Sequence, residues 1–403
     1  MTTTVTKDAT TVLAQVERLV TEHPPTTTEP DAFWGAQFDL GLAWVQFPIG
    51  LGGLGVDPGL QDVVDDRLAT AGAPSNKTTN FMGVGMAGPT IATYGTPLQQ
   101  ELLRPTFTCE QIWCQLFSEP GAGSDLAGLA TTAIRDGDHW ILNGQKVWTT
   151  LAHVAKWGMV LARTDADVPK HQGLTYFLID MEQVGVEVRP LRQLTGEAEF
   201  NEVWLTDAVV PDTMRVGDVG AGWRVALTTL MNERVALAGL GKQSRGSGAI
   251  RHAVRIWKER GGADPVKRDR LVELWIRGEL LRLTARRASE AQERGTPGPE
   301  GAVGKLVMTE FNQEVFSFLM ELRGPSAMLI SDYEQTRPTT MGEDVLGDRD
   351  DIDLTKAMLT TRGTSIGGGT TEIARNILAE RVLGLPGDVR IDKDVPWREV
   401  PRS

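Results

Sequence analysis

Two short stretches of this chain carry the residue types that chemistry needs. The first is residues 117–125, FSEPGAGSD. It sets Gly121 and Gly123 between a proline and a hydroxyl–carboxylate pair, Ser124 and Asp125. Such a turn lets backbone approach a flat or anionic ligand closely, because glycine has no Cβ in the way. The second is residues 143–150, NGQKVWTT. It places Trp148 and Thr150 on one side of an extended segment, where an aromatic ring can flank a flavin and a hydroxyl can donate to it. Either stretch alone is a weak signal, since most glycine-rich turns only reverse the chain. Together they describe an expected flavin cradle.

Composition bounds what can surround such a cradle. The chain has 403 residues, enough for two or three domains with a substantial core. Its 41% hydrophobic and 23% charged residues suit a globular protein. A net charge of −12 argues against a nucleic-acid partner, since no basic stripe exists to neutralise phosphates. Cys109 and Cys114 make neither a CxxC nor a zinc spacing, which points to a reducing, cytoplasmic setting. The five histidines, His23, His139, His153, His171 and His252, are scattered, so no metal site is expected. No signal-peptide core and no apolar run of about 18 residues occurs, so no membrane span is expected.

The elements fall into three blocks. Val12, Val16, Leu19 and Val20 recur at helical spacing and open a helical first block, with a helix ended by Pro24 and Pro25. Residues 48–55, PIGLGGLG, read as a connector, and residues 83–95 as a small, flexible stretch rich in Gly and Ala. Short β-branched runs then follow at 131–134, 139–142, 157–163, 175–180, 184–188 and 202–206. Turn signals at Asp136-Gly137, Asn143-Gly144 and Val184-Gly185 separate them, which predicts a mainly antiparallel β-domain. After residues 217–222 the chain reads as helical to its end. Asp264-Pro265 is an N-cap with proline at the first helical position. The expected division is 1–113, 114–216 and 217–403, an α+β chain with an all-α domain, an antiparallel β-domain and a C-terminal four-helix bundle.

The layout, with PIGLGGLG, SEPGAGSDLAG, NGQKVWTT and the late segment TSIGGGTTEIAR (residues 364–375), resembles the acyl-CoA dehydrogenase family. The resemblance spans nearly the whole chain. It implies that FAD is held by Gln115, Phe117, Ser118, Gly123 and Ser124, with Trp148 and Thr150 on its other edge. It implies further contacts from Thr370 and Glu372, and a pyrophosphate and adenine half completed by a neighbouring subunit. Ser124 would also meet the substrate. The family oxidises an acyl-CoA thioester: a carboxylate takes the α-proton while the β-hydrogen leaves as hydride to the flavin. Relatives pass the electrons to an electron-transfer flavoprotein and form homo- or heterotetramers.

The chain departs from the family where most members place that carboxylate. Their Tyr-Glu-Gly-Thr is here Gly367-Gly368-Gly369-Thr370, so no base stands there. Gly367 and Gly368 instead leave room for a branched or bulky acyl group, such as a sterol side chain. A minority branch of the family, including isovaleryl- and long-chain-type enzymes, carries its glutamate on an earlier helix, in the context Leu-Glu-Arg-x-x-x-Ala-Gly. Residues 231–239, MNERVALAG, put Glu233 on that glutamate and Arg234 beside it, near the substrate. Trp223, Ala226, Leu230, Glu233, Leu237 and Leu240 recur at helical spacing, so Glu233 interrupts an apolar seam. Burial there would raise its pKa towards neutrality, as suits a base.

Other readings stand beside these. Glu233 could be salt-bridged to a neighbouring helix, Trp148 could be core packing, and Glu372 an ordinary first-turn acid. The family's Arg-Lys-x-Phe-Gly element is missing, so Arg260 is a candidate for the cross-subunit cofactor contact or a solvated helix-end charge. Two further functions remain: a non-catalytic partner subunit of a heterotetramer, and a flavin oxidase or monooxygenase on the same fold.

Overall fold

The computed structural model describes residues 7–237, 244–293, 300–332, 334–341, 352–387, 389 and 391–401, with side chains 233–237, 289, 292–293 and 300–302 outside that description. Six helices come first: α1 (Lys7–Glu22), α2 (Pro30–Asp39), α3 (Leu60–Thr70), α4 (Gly88–Tyr94), α5 (Pro97–Gln100) and α6 (Leu103–Phe107). The apolar spacing in α1 does what it implies, burying Val12, Val16 and Leu19. The stretch read as flexible at 83–95 is instead packed structure. A π-helical turn, Gly83–Ala87, runs straight into α4, and Val84, Met86, Ala87 and Ile91 are buried. The small residues serve close packing, with the Trp44 indole N–H donating to the Val84 carbonyl at 3.0 Å.

The middle block is one eight-stranded sheet. Its strands are β1 (Trp113–Leu116), β2 (Thr132–Asp136), β3 (His139–Thr150), β4 (Trp157–Arg163), β5 (Leu174–Asp180), β6 (Val186–Pro190), β7 (Phe200–Pro211) and β8 (Arg215–Val216). The spatial order is β6-β7-β3-β2-β4-β5-β8, and β1 pairs β4. Pairing is mainly antiparallel, with β1 parallel to β4. Alternation along β4 and β5 sends Met159, Leu161, Tyr176 and Leu178 to the helical side, and Val160, Ala162, Phe177 and Ile179 to the other core.

Asn143-Gly144 does not reverse the chain. It sits inside β3, at a bulge where the register to β7 shifts. The Asn143 amide donates to the Asp207 carboxylate at 3.0 Å and its carbonyl oxygen accepts from the Asp207 N–H at 2.9 Å. Glycine is required here by closeness: a Cβ on Gly144 would lie 2.3 Å from the Thr131 hydroxyl.

The last block holds α7 (Gly222–Leu237), α8 (Ala249–Glu259), α9 (Pro265–Glu293), α10 (Glu300–Arg323), α11 (Leu354–Thr364) and α12 (Thr371–Ile377). Asp264 caps α9 as its sequence implies, its carboxylate accepting from the Val266 N–H at 3.0 Å. Helices α8 to α11 bury a core of Ile250, Leu274, Phe311, Val315, Phe316 and Leu319. Helix α7 packs differently, against α4 and β5. Its Thr229 hydroxyl meets Thr90 Oγ1 at 2.9 Å and the Tyr176 hydroxyl at 3.2 Å. All three residues are buried, so one hydroxyl cluster ties together α4, β5 and α7. Thr229→Val keeps the shape but takes the partner from the buried Tyr176 hydroxyl, while Thr90 keeps its bond to the Met86 carbonyl. It should cost about 1–3 kcal/mol in urea unfolding, with Thr229→Ser recovering most of it.

Candidate active site

The two motifs lie side by side. Strand β1 delivers Gln115 and then Phe117, whose ring stands edge-on to Tyr176 at 5.8 Å. The chain then turns tightly, with the Glu119 and Ala122 backbones exchanging hydrogen bonds at 3.1 and 3.0 Å. Gly121 and Gly123 sit on this turn facing open space, since a Cβ on either would meet nothing within 4 Å. The Ser118 carbonyl accepts from the Val147 N–H of β3 at 2.9 Å, which joins the turn to NGQKVWTT.

A buried ion pair makes that joint rigid. Lys146, with 0% exposure, donates to the Glu119 carboxylate at 2.8 Å, the Phe117 carbonyl at 3.1 Å and the Leu161 carbonyl at 2.8 Å. All three ammonium protons therefore have acceptors. The Glu119 carboxylate also accepts from the Ala130 and Thr131 N–H groups at 2.6 and 2.9 Å. Burial pulls the Lys146 pKa below its usual value, and Glu119 only partly offsets this. Burial alone would raise Glu119, but the Lys146 charge and the hydrogen bonds outweigh it and hold the carboxyl below the usual range. Neither residue stood out in the sequence. A signal was present: Trp140, Leu142 and Lys146 share one parity on β3, and a lysine at an inward position demands a buried partner.

Beyond Lys146 the strand is strained. The register to β7 shifts again before Thr149, and Trp148 and Leu151 adopt left-handed backbone, with φ of 61° and 54°. Strain of this kind in non-glycine residues gathers at functional sites. Trp148 is 61% exposed, so core packing does not explain it. Its ring stands edge-on to Phe200, the residue paired with Thr150, so Trp148 and Thr150 stay neighbours despite the bulge. Asn201 pins this region, donating to the Thr149 carbonyl at 3.0 Å and accepting from Arg337 at 2.8 Å. His153 joins the same network through the Pro338 carbonyl at 2.8 Å; burial and the Arg337 charge lower its pKa.

Around the cradle, Gln115 Nε2 and Thr149 Oγ1 are among the buried polar atoms of the described residues with no hydrogen-bond partner. Among the described residues no cluster of three His, Cys, Asp or Glu is arranged for a metal. Among the described residues no helix is long and apolar enough to cross a membrane.

The remaining sequence candidates lie elsewhere. Glu233 and Arg234 fall within α7, but their side chains lie outside the described residues. Thr370 is the N-cap of α12, accepting from the Ile373 N–H at 3.1 Å. Glu372 is exposed and pairs with Arg375 at 3.3 Å; its own helix-start N–H and the Thr371 hydroxyl lower its pKa. Gly367 and Gly368 occupy the exposed turn between α11 and α12, and Gly368 has φ of 65°, where a side chain would be strained. Arg260 donates to the Arg323 carbonyl at the end of α10, at 2.8 Å. These contacts stay within the helical block, whereas Gln115, Phe117, Ser118, Gly123, Ser124, Trp148 and Thr150 gather in the β-block.

Comparison with known proteins fits this arrangement. Residues 114–208 match the model described as acyl-CoA dehydrogenase, middle domain, and residues 220–383 the acyl-CoA dehydrogenase, C-terminal domain. Acyl-CoA dehydrogenase IpdE1 of Mycobacterium tuberculosis is 38% identical over 352 residues, 87% of this chain and 86% of that protein. This chain belongs to the acyl-CoA dehydrogenase family. Acyl-CoA dehydrogenase FadE34 of the same organism is 42% identical over 86% of this chain, which spans only 45% of that relative's length. The ChsE4-ChsE5 complex from Mycobacterium tuberculosis matches with a TM-score of 0.70 and 25% identity, over 96% of this chain and 100% of that one. The Tcur3481-Tcur3483 steroid ACAD, at 24% identity and a TM-score of 0.71, over 94% of this chain and 98% of that one, shares the fold. The family is one of flavin-dependent oxidoreductases.

Lys146→Met should destabilise the chain by about 3–5 kcal/mol, because it leaves a buried carboxylate without its cation. The Glu119→Gln/Lys146→Met pair should cost less than the two single changes added, read from denaturant unfolding. The pH dependence has a fixed sign. Both groups have folded pKa values below their unfolded ones, so the unfolded chain binds more protons and stability rises with pH. The Glu119 contribution is complete above about pH 5 and is lost as pH falls through the folded value. Thermal midpoints between about pH 6 and pH 3 should fall more steeply for wild type than for Glu119→Gln.

Proposed function

We propose that this chain is an FAD-dependent acyl-CoA dehydrogenase that converts an acyl-CoA to its trans-enoyl-CoA. The observation that carries this reading is the Lys146–Glu119 joint, which holds FSEPGAGSD and NGQKVWTT together as one cradle. The cradle fits a flavin. Gln115 Nε2 is a buried donor awaiting an acceptor, Gly121 and Gly123 leave backbone open, and the exposed Trp148 offers a ring face. Bound FAD supplies the hydride acceptor. Phe117, Ser118, Gly123 and Ser124 line it on one side, with Trp148 and Thr150 on the other, and Ser124 also faces the substrate.

Glu233 takes the α-proton, with Arg234 beside it. The sequence sets Glu233 among apolar residues at helical spacing; a carboxylate so surrounded would hold its proton more tightly than in water, which would match it to a weakly acidic carbon near neutral pH. Packing of α7 against β5 and α4 brings that helix to the cradle side of the sheet. Gly367 and Gly368 widen the acyl pocket for a branched or ring-bearing chain; a Cβ at the neighbouring Gly369 would meet nothing within 4 Å. Electrons then pass to an electron-transfer flavoprotein.

Thr370 and Glu372 contact the cofactor from the start of α12, and Arg260 serves its cross-subunit half from a second chain. Val272, Ile276, Leu280 and Leu283 form one exposed apolar stripe along α9, each 49–58% exposed. We read that stripe as the seam of a homo- or heterotetramer. A second reading, a partner subunit without its own turnover, draws on the carboxylate-free turn at Gly367–369.

Glu233→Gln should retain FAD while anaerobic flavin bleaching by acyl-CoA slows about 100- to 10,000-fold. Bleaching at the wild-type rate would remove Glu233 from the mechanism. A colourless, inactive purified chain would favour the partner-subunit reading. In a substrate panel, branched or ring-bearing acyl-CoAs should outperform short linear ones. Ile276→Asp with Leu280→Asp should break the assembly in sedimentation and release FAD with it.

A further inference from the structure

The match to the family's C-terminal domain ends at residue 383, but the chain continues and returns to the β-sheet block. Pro396 forms a bridge with Pro169. The Trp397 N–H donates to the Val168 carbonyl at 2.9 Å, and the Arg398 N–H to the Ala166 carbonyl at 3.1 Å. This tail therefore docks on the β4–β5 connection through a single bridge at Pro396 and a short 3-10 turn, Trp397–Glu399.

Its side chains reach the cradle through two buried cations. Arg163, 3% exposed, donates to the Ala127, Leu129 and Lys170 carbonyls at 2.6, 3.1 and 3.1 Å. The Trp397 ring lies 4.3 Å from that guanidinium, and its indole N–H donates to the Gly128 carbonyl at 3.2 Å. Lys170, 8% exposed, donates to Asp125 of FSEPGAGSD at 2.7 Å and to Asp392 of the tail. Thus the turn that follows Ser124 is held from beneath by Arg163 and Lys170. The tail supplies each of them with a ring face or a carboxylate. A buried cation is tolerable only with such partners, and each one removed loosens what the cation holds.

We propose that residues 391–400 are a strap that keeps the glycine-bearing cradle in its flavin-binding shape, with Trp397 and Asp392 as positioning residues. The proposal rests on the reading of 117–125 as the flavin cradle. It assigns a role to a segment that lies beyond the family match, and it acts through the backbone at 125–129.

The test compares the full chain with a chain ending at residue 386, and with Trp397→Ala, Trp397→Phe and Asp392→Asn. Two quantities are read: FAD affinity of the apo-protein by flavin fluorescence, and amide hydrogen exchange at residues 126–129. The truncated chain and Trp397→Ala should bind FAD on the order of tenfold more weakly and exchange faster at 126–129. Trp397→Phe keeps a ring over Arg163 and should fall between. Exchange in β3 and β7 should stay unchanged, which separates loosening of the cradle from general unfolding. If truncation prevents folding, the point variants decide. Wild-type FAD affinity with wild-type exchange at 126–129 would overturn the strap. If the full chain takes up no FAD, the cradle reading itself fails, and with it the strap's proposed purpose.

Discussion

A lysine with no solvent contact, sharing its three protons among one carboxylate and two carbonyls, fixes the geometry on which this chain depends. Lys146 and Glu119 could not be buried singly, because each charge would lie uncompensated in the interior. Held together, they bind four separate segments: the end of β1 at Phe117, β4 at Leu161, the loop at Ala130–Thr131 and β3 itself. The glycines beside Glu119 can then stay bare of neighbours while the turn keeps its shape. Rigidity comes from the pair, and access comes from the glycines.

The rest of the fold converges on this joint. Alternation along β4 and β5 gives the sheet two buried faces, so the β-block can carry helices on one side and its own core on the other. The hydroxyls of Thr90, Tyr176 and Thr229 lock α7 to both the first helical block and the sheet. Left-handed backbone at Trp148 and Leu151 persists because β7, Asn201 and Arg337 hold the chain on either side of it. Order in the surroundings is what allows strain and unpaired donors at the centre.

Much of this was legible in the residues, and the failures have physical causes. Spacing in α1, the Asp264-Pro265 cap and the short apolar and β-branched runs each follow from local rules that the structure obeys. Asn143-Gly144 carried a turn signal, yet the same small residues also suit a bulge; the close approach of Thr131 decided which. Residues 83–95 read as flexible because glycine and alanine carry little pattern, whereas the structure uses them for close packing. Of the site, the β-block cradle was readable as motifs, but its clamp was not. A lysine in a strand reads as surface until its partner, distant in sequence, is known. The tail at 391–400 carries no local signal for the same reason, since Trp397 and Asp392 acquire meaning only against Arg163 and Lys170.

The most direct measurement is the visible spectrum of the purified, FAD-reconstituted chain before and after anaerobic addition of a bulky acyl-CoA. A stoichiometric flavin band that bleaches, with enoyl-CoA formed in equal amount, is the result this account predicts. A chain that takes up no flavin, or a bound flavin that stays oxidised with every acyl-CoA offered, would contradict it.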